Sequence, residues 1–388
     1  MEDKIKKCLF FLLLTVLWFP RLQDITNLFH SKDLKGAYVL ASDVEFSWGK
    51  WWAGGFAPAK DSFLADHFGF RSDFIRLNNQ FDLMLFHKLH YNSSVYGKER
   101  CLFDDRYINA YTGRDCIGYG AMRERLLMVK AISDTLGRLG KSLVFIHAPC
   151  KASFYPECIP DYYLKDGLRI TNYQLCKRIG DSLGIVRLDM DSYLRFLKSK
   201  DAHLLYTRQG SHWSVYGAAR VADTFARVLE RLTHKSLPHI AIASVEYDDK
   251  PRYTDGDLAE PLNLIRRFSK EVYSYASLSY TRTADTNKPK VLYIGDSFLF
   301  QWMHLGILDE IGPGWQFWYY FKEVDDQAHV HDHGPGITNK TIDEIDWVRE
   351  LESSDCITLI YSAHNLTNIG SGFVEKAFDH YYPKTPKR

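Results

Sequence analysis

The chain predicts an α/β fold built on a mainly parallel sheet with helices on both faces, a three-layer α/β/α sandwich. Three observations predict it. From about residue 119, short apolar strands alternate with longer helical segments. The strands read as unbroken apolar runs, the pattern of strands covered on both faces. One of them, "KVLYIGDSFLFQW" (290–302), stops at Gly-Asp-Ser. In open parallel sheets, ligands bind beyond the carboxyl ends of the strands, and Ser297 stands at such an end.

Taken in order, Lys4, Lys6 and Lys7 lead into the apolar run "CLFFLLLTVLWF" (8–19), closed by Pro20-Arg21. A positive start before a short apolar stretch is an export signal. No A-x-A-like cleavage site follows closely, so an uncleaved signal anchor is favoured over a cleaved peptide. Either places residues 22–388 outside the cytoplasm. Residues 31–118 are rich in aromatics and glycine. Within them Phe74, Leu77, Phe81, Met84 and Leu85 keep helical spacing, which predicts an amphipathic helix over 72–89. "AMRERLLMVKAISDTLGRL" is a helix, "SLVFIHAP" (142–149) a strand, "NYQLCKRIGDSL" a helix and "GIVRLDM" (184–190) a strand. "SVYGAARVADTFARVLERL" (214–232) is a helix with small and apolar residues on one face. The strand at 290–295 leads into a helix to about 310, then the strand "WQFWYYF", a helix near 341–352 and the strand "CITLIYS" (356–362). The expected organisation is an anchor and short linker (1–30), an extension packing on the core (31–118) and a catalytic α/β domain (119–388).

Composition excludes some functions. With 49 lysines and arginines against 48 acids, the formal charge is +1. A nucleic-acid binder shows a basic excess or stripe, so that class is set aside. Apolar residues make up 46%, enough for a substantial core, and aromatics 15%, which suits core packing or a cleft that covers sugar faces. Beyond Cys8, six cysteines (101, 116, 150, 158, 176, 356) permit disulfides in an exported chain, with connectivity unreadable. "HVHDH" (329–333) offers three histidines in a glycine-flanked loop. Without a fourth ligand at diagnostic spacing it reads as solvated, and no metal or cofactor is implied. Neither a P-loop nor a G-x-S-x-G elbow is present.

Ser297 is either the N-cap of the following helix or a nucleophile, which needs a base within reach. "TRQGSHWSVYGAARVADTFA" places His212 and Trp213 just before a helix, with a glycine four residues after the tryptophan. With "GDS" and "HW" in this order, the chain resembles the SGNH hydrolase superfamily, and more narrowly the alginate O-acetyltransferase AlgX/AlgJ group, in which the histidine block precedes the serine block. "WWAGGFAPAKDSFLADHFGFRSDFIRLNNQF", "VYGKERCLFDDRYI", "APCKASFYPECIP" and "DGDLAEPLNL" extend the resemblance over most of residues 45–375.

The resemblance implies Ser297 as nucleophile, His212 as general base and then acid, and Trp213 as packing for the histidine loop and part of the substrate site. Asn365 is expected at an oxyanion or substrate-binding position, or as a structural cap. The family's aspartate two residues before the histidine is replaced here by Gly210. Asp257, or else Asp255, in "TDGDL" is expected to orient His212, unless both cap a helix beginning near Leu258. The implied reaction is O-acetyl transfer to hydroxyls of an exported or cell-envelope polysaccharide through an acetyl-serine. The implied partners are a polysaccharide acceptor, a multi-pass membrane O-acyltransferase that supplies acetyl groups, and the inner membrane, on its periplasmic side. An acetylesterase of the same fold and a non-catalytic polysaccharide-binding homologue are the alternatives.

Overall fold

The structure is a computed structural model describing residues 2–36, 38–91, 93–281, 287–338 and 340–383. It divides into two compact units, one of Met1–Asn92 with Ala259–Phe268, the other of Ser93–Leu258 with Ser269–Arg388. The division falls at 92/93, not at 118. The reason is apolar: Phe103, Tyr107 and Ile108, expected in the extension, are buried in one cluster with Ile146, Trp213 and Phe298.

The larger unit holds a seven-stranded sheet: β1 Ser142–His147, β2 Arg187–Asp189, β3 Val291–Gly295, β4 Gln316–Tyr319, β5 Glu323–Asp326, β6 Lys340–Thr341 and β7 Cys356–Tyr361. The order is β6-β5-β4-β3-β7-β1-β2. The strands β4, β3, β7, β1 and β2 run parallel, whereas β5 and β6 add an antiparallel edge. The predicted single strand through 321 stops short because Tyr320 and Phe321 take positive φ (49° and 50°), turning the chain back as β5.

Strand alternation distributes the core to both faces. Val144, Ile146 and Tyr293 join Ala218, Val221 and Phe225 of the helix Val215–Thr233. On the other face, Phe145, Ile294 and Leu359 join Leu126 and Val129 of the helix Gly118–Arg138, and Ile179 of Asn172–Leu183. The three-layer expectation holds. The long hairpin of Ile240–Asp248 with Tyr273–Tyr280 was not anticipated. The expected helix from Ser297 to 310 is broken: a 3-10 turn, Ser297–Leu299, and two five-residue helices meet at Gly306, where φ is +66°. "HVHDH" belongs to the helix Gln327–His333, not to a loop; Asp326 caps it by accepting the His329 N–H at 2.9 Å. His329 stacks on His333 and His331 pairs with Asp309. All seven cysteines are free thiols.

The smaller unit contains the helices Glu2–Thr26, Trp48–Trp52, Phe56–His67 and Arg71–Phe86. Asp3–Thr26 is long and apolar enough to cross a membrane, with a mean hydropathy of 1.5 over a window only 6% buried. It is therefore not a core helix.

Gly217 shows how the fold constrains the histidine loop. A Cβ there would lie 2.2 Å from the Leu205 carbonyl oxygen, so the preceding chain passes directly over the start of the helix Val215–Thr233. Gly217→Ala is expected to destabilise the fold by about 2–3 kcal/mol, as overpacking against rigid backbone does. Urea unfolding measures it; an unchanged midpoint would show that the crossing relaxes freely.

Candidate active site

The topology brings two loops together at the carboxyl end of the sheet. Ser297 heads the turn after β3, the most direct exit from a buried strand. Asp296 caps that turn: its Oδ1 accepts the Phe298 N–H at 3.2 Å. Its Oδ2 accepts from the Ser362 N–H at 2.8 Å, the Ser362 hydroxyl at 2.7 Å and the Asn365 amide at 2.8 Å. The cap is Asp296, and it clamps the serine turn to the end of β7. Ser297 is left with its hydroxyl uncommitted to the helix start.

The histidine loop is pinned from several sides. Trp213 donates its indole N–H to the Phe298 carbonyl at 3.2 Å. Tyr206 donates its hydroxyl to the Ser211 carbonyl at 2.6 Å. The Lys151 ammonium, fully buried, donates to the carbonyls of Arg208 (2.9 Å) and Gly210 (2.5 Å). Burial pushes its pKa down.

Held this way, Ser297 Oγ lies 2.7 Å from His212 Nε2, and His212 Nδ1 lies 2.6 Å from Asp257 Oδ2. A carboxylate only accepts, so Nδ1 carries the proton and Nε2 presents its lone pair to the serine hydroxyl. Ser211 secures the far end: its N–H donates to Asp257 Oδ1 and its hydroxyl to Oδ2, both at 2.6 Å. Burial works to raise the Asp257 carboxyl. The electrostatic pull of the His212 ring and the hydrogen bonds from His212 and Ser211 outweigh it, and the pKa ends below the ordinary carboxylate value.

Asp255, two residues away, behaves oppositely. It is 1% exposed. Its Oδ1 accepts the Val215 N–H at 3.1 Å and the Gln301 amide at 3.4 Å, so it serves the start of the helix Val215–Thr233 and not His212. Burial foremost, with Asp257 and Glu271 adding repulsion, raises its pKa well above the usual range. The helix expected near Leu258 is a 3-10 turn, Glu260–Leu262, without a side-chain cap.

Two expectations need correction. Trp213 is completely buried, packed against Phe298 and Trp302, so it lines no substrate surface. Asn365 commits its amide N–H groups to Asp296 and, at 3.1 Å, to the Tyr320 hydroxyl; it braces the serine turn and is not free to serve an oxyanion. Sequence reading missed Ser211 and Lys151. A serine directly before the histidine was a visible signal for the first. Only tertiary contact reveals the second.

The sequence pattern of the family described as SGNH hydrolase-like domain, acetyltransferase AlgX, matches residues 95–310, more than half of the chain. The chain belongs to this family. Its fold is thus SGNH-like and its enzyme class that of an SGNH-type O-acetyltransferase. Among solved structures, the O-acetyltransferase domain of Pseudomonas putida AlgJ is 16% identical, with a TM-score of 0.48, covering 75% of this chain and 100% of that one. Pseudomonas aeruginosa AlgX is 14% identical with a TM-score of 0.42, covering 74% of this chain and 66% of that one. Bacillus cereus PatB1, solved with a sulfonyl adduct, is 11% identical with a TM-score of 0.44, covering 70% and 95%. No curated protein matches.

The AlgX-family aspartate before the histidine has no room here. A Cβ at residue 210 would lie 2.7 Å from Thr207 Oγ1 and from the Thr254 carbonyl, and 2.8 Å from the Asp255 carbonyl. Gly210→Asp is expected to lower acetyl-ester turnover by at least about 100-fold, not to improve it, because it pries away the loop that carries Asp257. Activity at or above the parent level would show the two carboxylate positions to be interchangeable.

Asp255 gives a stability prediction. Its folded pKa is raised, so the native state holds a proton that the unfolded chain releases above about pH 4. Native stability is then lost as pH rises through that window, by up to about 1.4 kcal/mol per pH unit. Asp255→Asn keeps the acceptor for Val215 and removes this loss. Its gain in stability should grow between pH 4 and 7 in chemical denaturation, with ester turnover retained; a pH-independent difference would place the titration elsewhere.

Proposed function

We propose that Ser297, His212 and Asp257 form the catalytic triad of an O-acetyltransferase acting on hydroxyls of an exported or cell-envelope polysaccharide. The observation that carries this is the continuous hydrogen-bonded chain from Ser297 Oγ through His212 to Asp257. In the first half-reaction, the Ser297 hydroxyl oxygen attacks the acetyl carbonyl carbon of the donor and passes its proton to His212 Nε2. The tetrahedral intermediate collapses to acetyl-Ser297, and the departing donor alkoxide takes that proton. In the second, His212 accepts the proton of the acceptor hydroxyl as its oxygen attacks the acetyl carbon. The acetylated glycan leaves, and the proton returns to Ser297. The ionised Asp257 keeps His212 in the required tautomer and stabilises the imidazolium formed in each half. The Ser297 N–H, at the start of its turn, is the proposed first donor to the oxyanion.

Family membership supports acetyl as the transferred group and polysaccharide as the acceptor class. The lysines before Cys8 and the apolar helix Asp3–Thr26 support anchoring in the inner membrane with the larger unit in the periplasm. A multi-pass membrane O-acyltransferase remains the proposed acetyl supplier. A complete hydrogen-bonded triad weighs against the non-catalytic alternative.

The test uses an activated acetyl ester, with and without an oligosaccharide acceptor. Ser297→Ala and His212→Ala should each abolish turnover, and the double variant should lose little more, because the residues act as a unit. Asp257→Asn should cost on the order of 10⁴-fold in kcat. A Ser297→Ala protein that folds and keeps full activity would refute the assignment. Acetyl appearing only in water, never on any acceptor, would make the enzyme an esterase.

A further inference from the structure

The helix Arg71–Phe86 in the smaller unit is inside out. A helix of a water-soluble domain turns its apolar stripe to the core. Here the polar residues turn inward. Arg76 donates to the carbonyls of Lys32 and Asp33 at 2.8 and 2.7 Å, Asn79 to that of Leu262 at 2.9 Å, and Gln80 accepts the Arg266 N–H at 2.9 Å. The apolar stripe faces out: Phe74, Leu77, Phe81, Met84 and Leu85 are 48–63% exposed. Five large apolar groups on one open helix face are a surface made to be covered.

The location of this helix says by what. Its N-terminus is packed on the end of the helix Glu2–Thr26. The Phe70 ring stacks on Phe19 at 5.1 Å, and Gly69 approaches so closely that a Cβ would lie 2.1 Å from the Pro20 carbonyl oxygen. Phe19 closes the apolar run and Pro20-Arg21 opens the polar chain after it. On the anchor reading above, that junction lies in the last two turns of the membrane-crossing helix Asp3–Thr26, close to where the chain leaves the hydrocarbon for the headgroups. The stripe therefore begins at the level of the membrane boundary. The same unit exposes Trp48 (67%), which packs edge-on against Phe46, and Trp52 (80%), a side-chain type that settles at that boundary.

We infer that the helix Arg71–Phe86 lies in the membrane–water interface, its stripe set into the headgroup and acyl boundary of the lipid bilayer that anchors the chain. Interfacial helices bind through such an apolar face, with their polar side toward water and protein. The inference rests on residues 3–26 crossing the membrane.

The test uses the full chain reconstituted in vesicles of phosphatidylethanolamine and phosphatidylglycerol. In a Cys8→Ser/Cys116→Ser background, which leaves only buried thiols, a nitroxide is attached through Leu77→Cys, through Phe81→Cys and, as a water-exposed reference, through Lys165→Cys. Each labelled protein must retain ester turnover, which reports folding. Labels at 77 and 81 should collide freely with dissolved oxygen and be shielded several-fold from a water-soluble nickel complex relative to 165. A label at 81 as open to nickel as 165 overturns the inference. So does one shielded from both reagents, which would place another protein surface or a second copy on the stripe. Mass spectrometry of the same preparation reports whether residues 1–26 are retained. A cleaved chain with lipid-embedded labels refutes the anchor and keeps the interfacial helix; an intact chain with water-exposed labels does the reverse.

Discussion

The site depends on a backbone contact that only glycine permits. Residues 254–255 press against residue 210 at a distance that excludes any side chain. That contact brings the loop carrying Asp257 beneath the histidine loop. Thr207 stitches the two together, donating its hydroxyl to the Asp255 carbonyl at 2.8 Å and accepting the Gly210 N–H at 2.8 Å. Lys151 then holds the Gly210 carbonyl from the other side. The absence of a side chain at 210 and the placement of Asp257 thus rest on the same contact. The carboxylate comes from a different loop, but it reaches the same ring nitrogen that a triad requires.

Two aspartates one glycine apart illustrate how environment divides identical side chains between roles. Asp257 faces a histidine and both the N–H and the hydroxyl of Ser211, and these partners outweigh its burial. Asp255 faces a helix start and a glutamine amide inside a closed interior, and one oxygen has no hydrogen-bond partner among the described residues. Charge is favoured in the first setting and disfavoured in the second. The two carboxyls repel, and that repulsion adds to burial in raising the Asp255 pKa. The His212 imidazolium is the balancing partner of Asp257 during the proposed transfer.

Much of this was legible in the sequence, for identifiable reasons. The strands β1, β3 and β7 read clearly because burial on both faces leaves unbroken apolar runs. The helix Asn172–Leu183 read to the residue because Thr171 and Gln174 form a capping box and Gly184 ends it in the left-handed region. The hairpin 240–280 escaped because most of Ala241–Asp248 is solvent-facing and mixes small and charged residues. The two-residue strand β6 is too short to carry a pattern. "HVHDH" misled because histidine has no strong helix preference and its flanking glycines suggest a loop; Asp326 and Gln327 supply the start. Trp213 next to the histidine suggested a substrate contact, yet an indole beside a functional residue is as useful when buried. Its N–H ties the histidine loop to the serine turn.

What the serine turn lacks in helix dipole it recovers in bracing. A long helix after Ser297 would have supplied a sizeable macrodipole at its start, but the helix there spans only Phe300–His304 before Gly306 breaks it. The macrodipole builds with aligned peptide units, so two short segments offer little of it. Asp296 instead fixes the turn through four hydrogen bonds, from Phe298, Ser362 twice and Asn365. This ties the turn after β3 to the segment after β7, its neighbour in the sheet. Positioning of that kind gives a reaction most of its advantage when the attacking oxygen must meet two substrates in succession. On the proposed transfer, the same serine would face a donor ester and then a glycan hydroxyl from one braced position at the carboxyl end of the sheet.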